Sequence, residues 1–502
     1  MLAGIINTNV DALYALNALQ NTANTTNTLE QQLSSGQAIN GPQDNPAGYI
    51  AAQGFTTQIG GTEQAISNVN QAIALVQTAD GAVTQQVNIL QQIRNIADQA
   101  ANGINSTQQL QSLQQVVSQL QTQVTTIANQ SVFSGLNLLD GSLNGVQFQV
   151  GASEGQTIGL SVGSTTATNL GAYQSSAAAA GLYNTDGKAT GGVGDVSGNS
   201  YAITTAGAGA FTAGSFGVSG SAGAQSVTVT ATEAAKDIAT SINAVTPKTN
   251  VTASADTSVA FTVTAGSISF ALGNGNDGAG NQTNKVNISA TVTTVSASGL
   301  QSLVDSINQQ TGTTGVTATV NASNQLVLTQ AQGDNISITG FAGTGTLAAG
   351  GGTTVTLGTG AGQVASATVQ GLVTLQSNQN FALSAAASDI GLNTTSALST
   401  LASANVSTIS GANSALNVVD FALQQLENVG AQLGAVEKRL QATAANLQTT
   451  DTNLTAARSV VQDANVPQVT TQLTQQEILQ QAGVSALAQS STLEQSFLKL
   501  LQ

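Results

Sequence analysis

The sequence predicts a multidomain, mainly α chain: terminal helices and a long heptad helical bundle formed by both chain ends, with a β-hairpin, and β-rich α+β domains inserted in the middle. Three observations carry this prediction. Apolar residues return every seven positions in three separate segments, two before residue 130 and one after residue 415. From about Phe133 the period changes to two, the spacing of strands. Between about Tyr173 and Leu392 the composition shifts to Gly, Ala, Ser, Thr and Val in short alternating runs such as Ser226–Thr232 and Val316–Val320.

The most regular segment lies near the end. One row reads Val419, Leu426, Leu433, Leu440, Leu447, Leu454, Val461, and a second reads Ala422, Val429, Val436, Thr443, Thr450, Ala457. Together they form the seam of a helix on the order of 65 Å long. Such a seam needs partners. Thr443 and Thr450 each forgo part of the roughly 1.5–3 kcal/mol that burying a large apolar side chain contributes, so the seam weakens towards the C-terminus.

The partners are at the other end of the chain. A helix from about Pro46 to Gly103 carries Val69, Val76, Val83, Leu90 and Ala97, with Ile66, Ile73 and Val87 beside them and Asp80 and Arg94 interrupting the companion row. A third helix begins at the N-cap candidate Ser106 and carries Leu110, Val117 and Val124 alternating with Leu113, Leu120 and Ile127. A bundle closed by both chain ends buries all three seams.

The outermost segments are less regular. Residues 1–33 place Ile6, Val10, Leu13, Leu16, Leu29 and Leu33 on a polar, Asn/Thr/Gln-rich helix that needs cover from other helices. The breakers between Ser34 and Gly48 separate it from the bundle. Pro467 marks a break before a last helix with Val469, Leu473, Ile478, Leu479, Leu487, Leu493, Phe497, Leu498, Leu500 and Leu501. The two ends are expected to pair as a separate module.

In the middle, Val146–Val150 and Ile158–Val162 read as a β-hairpin packed on the bundle. A weak repeat relates Ala234–Ala244 to Leu300–Gln309, each followed by strand-like sequence, and predicts two helix-on-sheet modules. The expected domains are 1–45 plus 465–502, 46–174 plus 393–464, and 175–392, the last divided into about 175–282 and 283–392.

Composition excludes several functions. Only 7% of residues are charged, and nine basic against 24 acidic residues give a net charge of −15, which argues against nucleic acid as a partner. No His, Cys or Trp is present, so HExxH, Cys-His and Ser-His-Asp sites are ruled out and no catalytic, metal or cofactor site is expected. Glu437-Lys438-Arg439 reads as a solvated helix face. The run Gly350–Gly352 lacks the pattern of a phosphate loop, and Gly273–Gly278 has one acid where a calcium loop needs several. No stretch reaches the roughly 20 apolar residues needed to insert in a membrane. No basic residue precedes Arg94, so the start lacks the positive n-region expected of a cleaved signal peptide.

The chain resembles the bacterial flagellins. The matching residues are Ile5–Asn9, Leu33–Gly36 with Ile39-Asn40, Gln77–Ala82, Phe133–Gly135 with Leu138-Leu139, and Phe148–Gly151. In the second half they are Gln432–Ala435 with Arg439, Asn453-Leu454 with Ala457-Arg458, and Ile478–Gly483 with Leu487–Gln489. The resemblance covers about 175 residues at the front and 110 at the back. It implies a filament subunit that self-assembles as a homopolymer, is exported by the flagellar type III apparatus and is extracellular on the bacterial flagellum. An export chaperone, a filament cap and hook-associated proteins are expected partners. Residues 1–45 and 465–502 would form the inner tube, ordered on assembly, and residues 175–392 would project outward.

The match has departures. Ala38 replaces a common Arg, and Gly41-Pro42 and Asn45-Pro46 replace a more charged linker. Where flagellins recognised by the vertebrate Toll-like receptor carry Arg-x-Arg-Glu-Leu, this chain has Gln92, Ile93, Arg94, Asn95 and Ile96, which implies weakened receptor activation. Two other readings stand beside a filament subunit: a hook-filament junction protein, similar at both ends, and a filament-borne adhesin with binding in the inserted modules.

Overall fold

The computed structural model describes residues 10–102, 105–176, 193–194, 200–201, 203–204, 214–230, 233–274, 283–321, 323–349, 355–359, 366–369, 371–384 and 392–500. Gly350–Gly352 and most of the run Gly273–Gly278 lie outside these. The helices are α1 (Val10–Ser35), α2 (Pro46–Ala101), α3 (Thr107–Gln130), α4 (Ala235–Ala244), α5 (Thr246–Thr249), α6 (Ala297–Asn308), α7 (Thr311–Thr314), α8 (Ile409–Gln462) and α9 (Val466–Leu500). Their ends follow local chemistry. Asn45 accepts the Gly48 N–H at 3.0 Å in front of Pro46, and Ser106 and Gln109 close a reciprocal capping box at the start of α3.

The chain divides into two compact units, Met1–Gln77 with Gly145–Ser161 and Leu433–Gln502, and Thr78–Asn144 with Val162–Gln432. In the first, Val69 and Val76 of α2 and Leu433 and Leu440 of α8 are buried, and Gln77 Nε2 donates to Glu437 Oε1 at 2.9 Å. The strands Val146–Gln149 and Thr157–Leu160 form the expected hairpin, which lies on α2 through a 3.3 Å bond from Asn68 Nδ2 to the Gln149 carbonyl. Gly61 matters there, because a Cβ would stand 2.8 Å from that of Ala152. The α8 seam then fades: Leu447 and Leu454 are half-buried, and Thr450 is exposed.

In the second unit Val83, Leu90, Val117, Val124 and Leu426 are buried, whereas Leu113 and Leu120 are half-buried. One expectation is corrected. The companion row of α2 is not Ile66, Ile73 and Val87, which stay half-buried, but Ala65, Ala72, Ala79, Gln86, Ile93 and Ala100. Small Ala side chains bring neighbouring helices close, so Asp80 and Arg94 flank the seam without interrupting it.

The inserted region leaves the bundle through a neck. Gly171–Ser176 pairs antiparallel with Ala397–Thr400 on one edge and with Leu372–Ser377 on the other. Gln425 of α8 holds this neck, accepting from Gly171 N at 3.0 Å and donating to the Asn378 carbonyl at 2.8 Å. The sheet continues through Thr252–Val263 to Leu326–Gln330 and Thr317–Val320.

Both helix repeats rest on strands, each with its own core. One core gathers Ile238 and Ile242 of α4 with Phe216, Val227, Leu375 and Phe381; the other gathers Leu303 and Ile307 of α6 with Phe261, Phe270, Leu328 and Phe341. The division expected near residue 282 moves. Ile268, Phe270 and Leu272 on one arm and Ile288 and Val292 on the other belong to a single core, so the cores part within the strand Thr252–Val263.

The repeat extends to single bonds. Asn243 brackets Ala253, donating to its carbonyl at 2.8 Å and accepting from its N–H at 2.7 Å; Asn308 brackets Ala318 at 2.9 and 2.7 Å. Thr246 donates to the Val251 carbonyl at 2.7 Å as Thr311 does to that of Val316 at 2.8 Å. The short helices α5 and α7 both end on a left-handed residue, Asn250 and Gly315.

Candidate assembly surface

The residues singled out at the chain ends meet in one helix pair. Ala464 N donates to the Gly36 carbonyl at 2.9 Å, and Leu19 lies against Gly483, so α1 and α9 run antiparallel. Among the positions of α9 whose side chains are described, the less exposed are Val469, Leu473, Gln476, Gln480, Gly483, Leu487 and Ser490, a heptad stripe. On α1 they include Ala12, Ala15, Leu19, Thr22, Ala23, Thr26 and Leu29. This seam is thin. Gln476, Gln480 and Ser490 replace apolar residues on one side, and on the other, among the described residues of α1, only Thr26 and Leu29 become buried.

A joint fixes where the pair begins. Gln37 and Asp463 form an antiparallel bridge, with Ala38 N donating to the Gln462 carbonyl at 2.7 Å. Gly36 ends α1 at φ +71°, a conformation other residues adopt only at a cost. Asp44 Oδ2 then accepts from the N–H groups of Asn40 and Gly41 at 2.8 and 2.9 Å, so the breaker-rich linker is a built turn.

The expected assembly residues separate into two sets. Val10, Leu473 and Leu487 are half-buried. Leu13, Ile478 and Leu479 remain 54%, 61% and 47% exposed, and the last two border an open groove with Thr471, Thr474 and Gln475. Ile6 and Leu501 lie outside the described residues, and Leu498 falls in the last turns of α9. Leu16, read in the sequence as one of the apolar positions of the first helix, is exposed as well, and so are Tyr14 and Val484, which the pattern reading missed because they sit off any single heptad row.

The receptor-like segment lies on α2. Gln92, Arg94 and Asn95 are exposed and Ile96 is half-buried. Arg94 Nε contacts Asp420 Oδ1 at 2.6 Å; this hydrogen bond and the carboxylate charge hold the guanidinium above its ordinary pKa. Among the described residues no three or more Asp or Glu side chains cluster as a metal site, and no helix is long and apolar enough to cross a membrane.

A chain whose two ends pair through a thin seam, with large apolar side chains left on the outer faces, is built as a self-assembling subunit. The family models agree: the bacterial flagellin N-terminal helical region matches residues 6–144, the bacterial flagellin C-terminal helical region matches 416–501, and the flagellin hook IN motif matches 281–332. The B-type flagellin of Pseudomonas aeruginosa is 33% identical across 100% of both chains, and Flagellin B of Vibrio anguillarum is 27% identical across 99% of each. Among solved structures, FliC from Burkholderia pseudomallei aligns with 73% of this chain and 99% of its own at 22% identity and a TM-score of 0.30. The flagellar junction protein FlgL from Legionella pneumophila aligns with 82% of this chain and 100% of its own, at 15% identity and a TM-score of 0.33. The full-length sequence match places the chain: it belongs to the bacterial flagellins, and it is a structural subunit of the flagellar filament that serves motility.

Proposed function

We propose that copies of this chain polymerise chiefly through the α1–α9 pair, with Leu13, Ile478 and Leu479 turned to neighbouring copies, Val10, Leu473 and Leu487 supporting the pair from within, and Ile6, Leu498 and Leu501 counted among the assembly residues of the same chain ends. The observation that carries this reading is the exposure of Leu13, Ile478 and Leu479 on helices whose own seam is thin. In this reading residues 1–45 and 465–502 form the inner layer, residues 46–174 and 393–464 the surrounding bundle, and residues 175–392 the outward region. The heptad rows Val69–Leu90, Leu113–Val124 and Leu426–Leu454 hold each subunit together. The chain is not an enzyme. It passes through the flagellar export apparatus with a chaperone, grows beneath a cap on hook-associated proteins, and works outside the cell.

Deleting Leu473–Gln502 tests the mechanism. The shortened subunit is expected not to elongate filament seeds; unimpaired elongation sinks the terminal-helix reading. Abundance separates a filament subunit from a junction protein: the chain should be the bulk protein of sheared filaments.

A further inference from the structure

We infer that Asn308, with Thr311 and Thr314, closes the outer sheet edge of the inserted region, so that its edge strand does not pair with the same strand of a second copy. Thr317–Val320 is the end strand of its sheet and is paired on one side only, with Leu326–Gln330. An antiparallel edge strand turns the N–H and C=O of every second residue outward, and such a row is a template for another chain. Here the row is occupied. Thr314 Oγ1 accepts from Val316 N at 3.2 Å and Thr311 donates to the Val316 carbonyl at 2.8 Å, while Asn308 takes both groups of Ala318. Val320, the next outward position, takes no bond from the described side chains of α6 and α7. The same helix α6 also reaches the end strand of a second sheet, where Ser302 donates to the Thr291 carbonyl at 3.2 Å.

Asn308 is itself exposed, so its amide is what stands between Ala318 and solvent, whereas Val316 is fully buried. Without that amide, Ala318 and Val320 face outward together. Two copies can then pair antiparallel across this edge, each Ala318 opposite a Val320, with the exposed Thr319 of one beside that of the other. The first repeat shows that strand addition of this kind already occurs within the chain. There Val251 and Ala253 carry the same bonds from Thr249, Thr246 and Asn243. From Thr257 on, Leu326–Gln330 of the other core continues the ladder along that edge. One outward position, Ala255, remains between seal and ladder, too little for a further strand. A filament subunit meets many copies of itself, so the edge that no strand covers is the one that needs its seal.

The test uses the full-length subunit, held below the threshold concentration at which filament seeds elongate. In the parent, the Ala318 amide should exchange as slowly as that of Thr319, although it faces away from the ladder. By sedimentation velocity, Asn308→Ala should associate with itself about tenfold or more strongly than the parent. Asn243→Ala loses the same two bonds and should stay within about twofold of the parent, because its edge offers a partner no length. Adding Thr319→Lys to Asn308→Ala puts a charge on the edge strand and should return association to within about twofold of the parent. Rapid exchange at Ala318 in the parent overturns the inference, and that measurement holds even if Asn308→Ala loses its fold. A folded Asn308→Ala subunit no more associated than the parent also overturns it, as does equal association in Asn243→Ala or association that Thr319→Lys leaves in place.

Discussion

Gln86 is the residue that heptad counting treats as a fault and the fold uses as a fastener. It is fully buried in the seam of α2, and its Nε2 donates to the carbonyls of Val124 and Thr165 at 3.0 and 3.2 Å, tying α3 and the Thr165 segment to the helix. Gln86→Ala should cost about 1–3 kcal/mol, read from chemical unfolding, because it strands the Thr165 acceptor and opens a cavity. Asp140 is a second local tie. Ser142 donates to it through its hydroxyl and its N–H, and Asn137 through its amide, which holds the carboxyl below its usual pKa. A depressed acid contributes stability above its unfolded value, near 3.9, and loses it as pH falls through the lower folded value. Amide exchange of the loop 137–142 should therefore stay slow until the pH falls below about 4, and Asp140→Asn should remove that pH dependence. Neither role was legible in advance, since both depend on partners distant in sequence or on loop geometry. Val69, Val76, Val83 and Leu90 were legible because large apolar residues at a fixed period report burial directly, whereas the Ala companions beside them carry too little hydropathy to register.

At the scale of the element, each repeat is anchored by one amide. Asn243 and Asn308 supply both a donor and an acceptor to the strand that follows, a two-bond contact in each repeat. Asn243→Ala and Asn308→Ala should each lower stability by about 1–3 kcal/mol, and each should do so in its own core, which site-resolved hydrogen exchange can separate. Equal effects in both cores from either substitution would count against two separate cores. The repeat was visible in the sequence through its helices, but its boundary was not, because Thr252–Val263 serves both cores and its alternation gives no sign of the change. The helix pair at the chain ends was read more completely. Gly483 in α9 is its soft point: a Cβ there would meet Leu19 Cδ1 at 3.4 Å, an ordinary contact. Gly483→Ala should stabilise α9 by about 0.5–1 kcal/mol, detected as increased helix content of the free subunit.

For the molecule as a whole, the neck decides which parts are separable. Gly171–Ser176 leaves the bundle and Ala397–Thr400 returns to it, and the two strands lie side by side, with Gln174 opposite Ala397 and Tyr173 opposite Leu398. More than two hundred residues therefore begin and end at neighbouring backbone positions, a geometry in which an insertion exerts little leverage on what carries it. The seam residues Val83, Leu90, Val117, Val124 and Leu426 lie outside the inserted region, as do both terminal helices. Three retained side chains bond into the insertion: Gln425 loses the Asn378 carbonyl, Ser175 loses the Asn393 carbonyl and Ser396 loses Asn380 and the Phe381 backbone, each at a cost of about 1 kcal/mol where solvent can substitute. Replacing residues 177–394 by a two-residue Asn-Gly turn, which keeps Ser176 opposite Thr395 in the register of the neck, should then give a subunit that folds and elongates filament seeds with an unchanged threshold, since a tight turn of that type joins adjacent antiparallel strands. Failure to elongate with the helix content intact would place assembly contacts in the inserted modules. Failure to fold would mean that the bundle draws stability from the strand Leu372–Ser377, the inserted element paired directly with the neck.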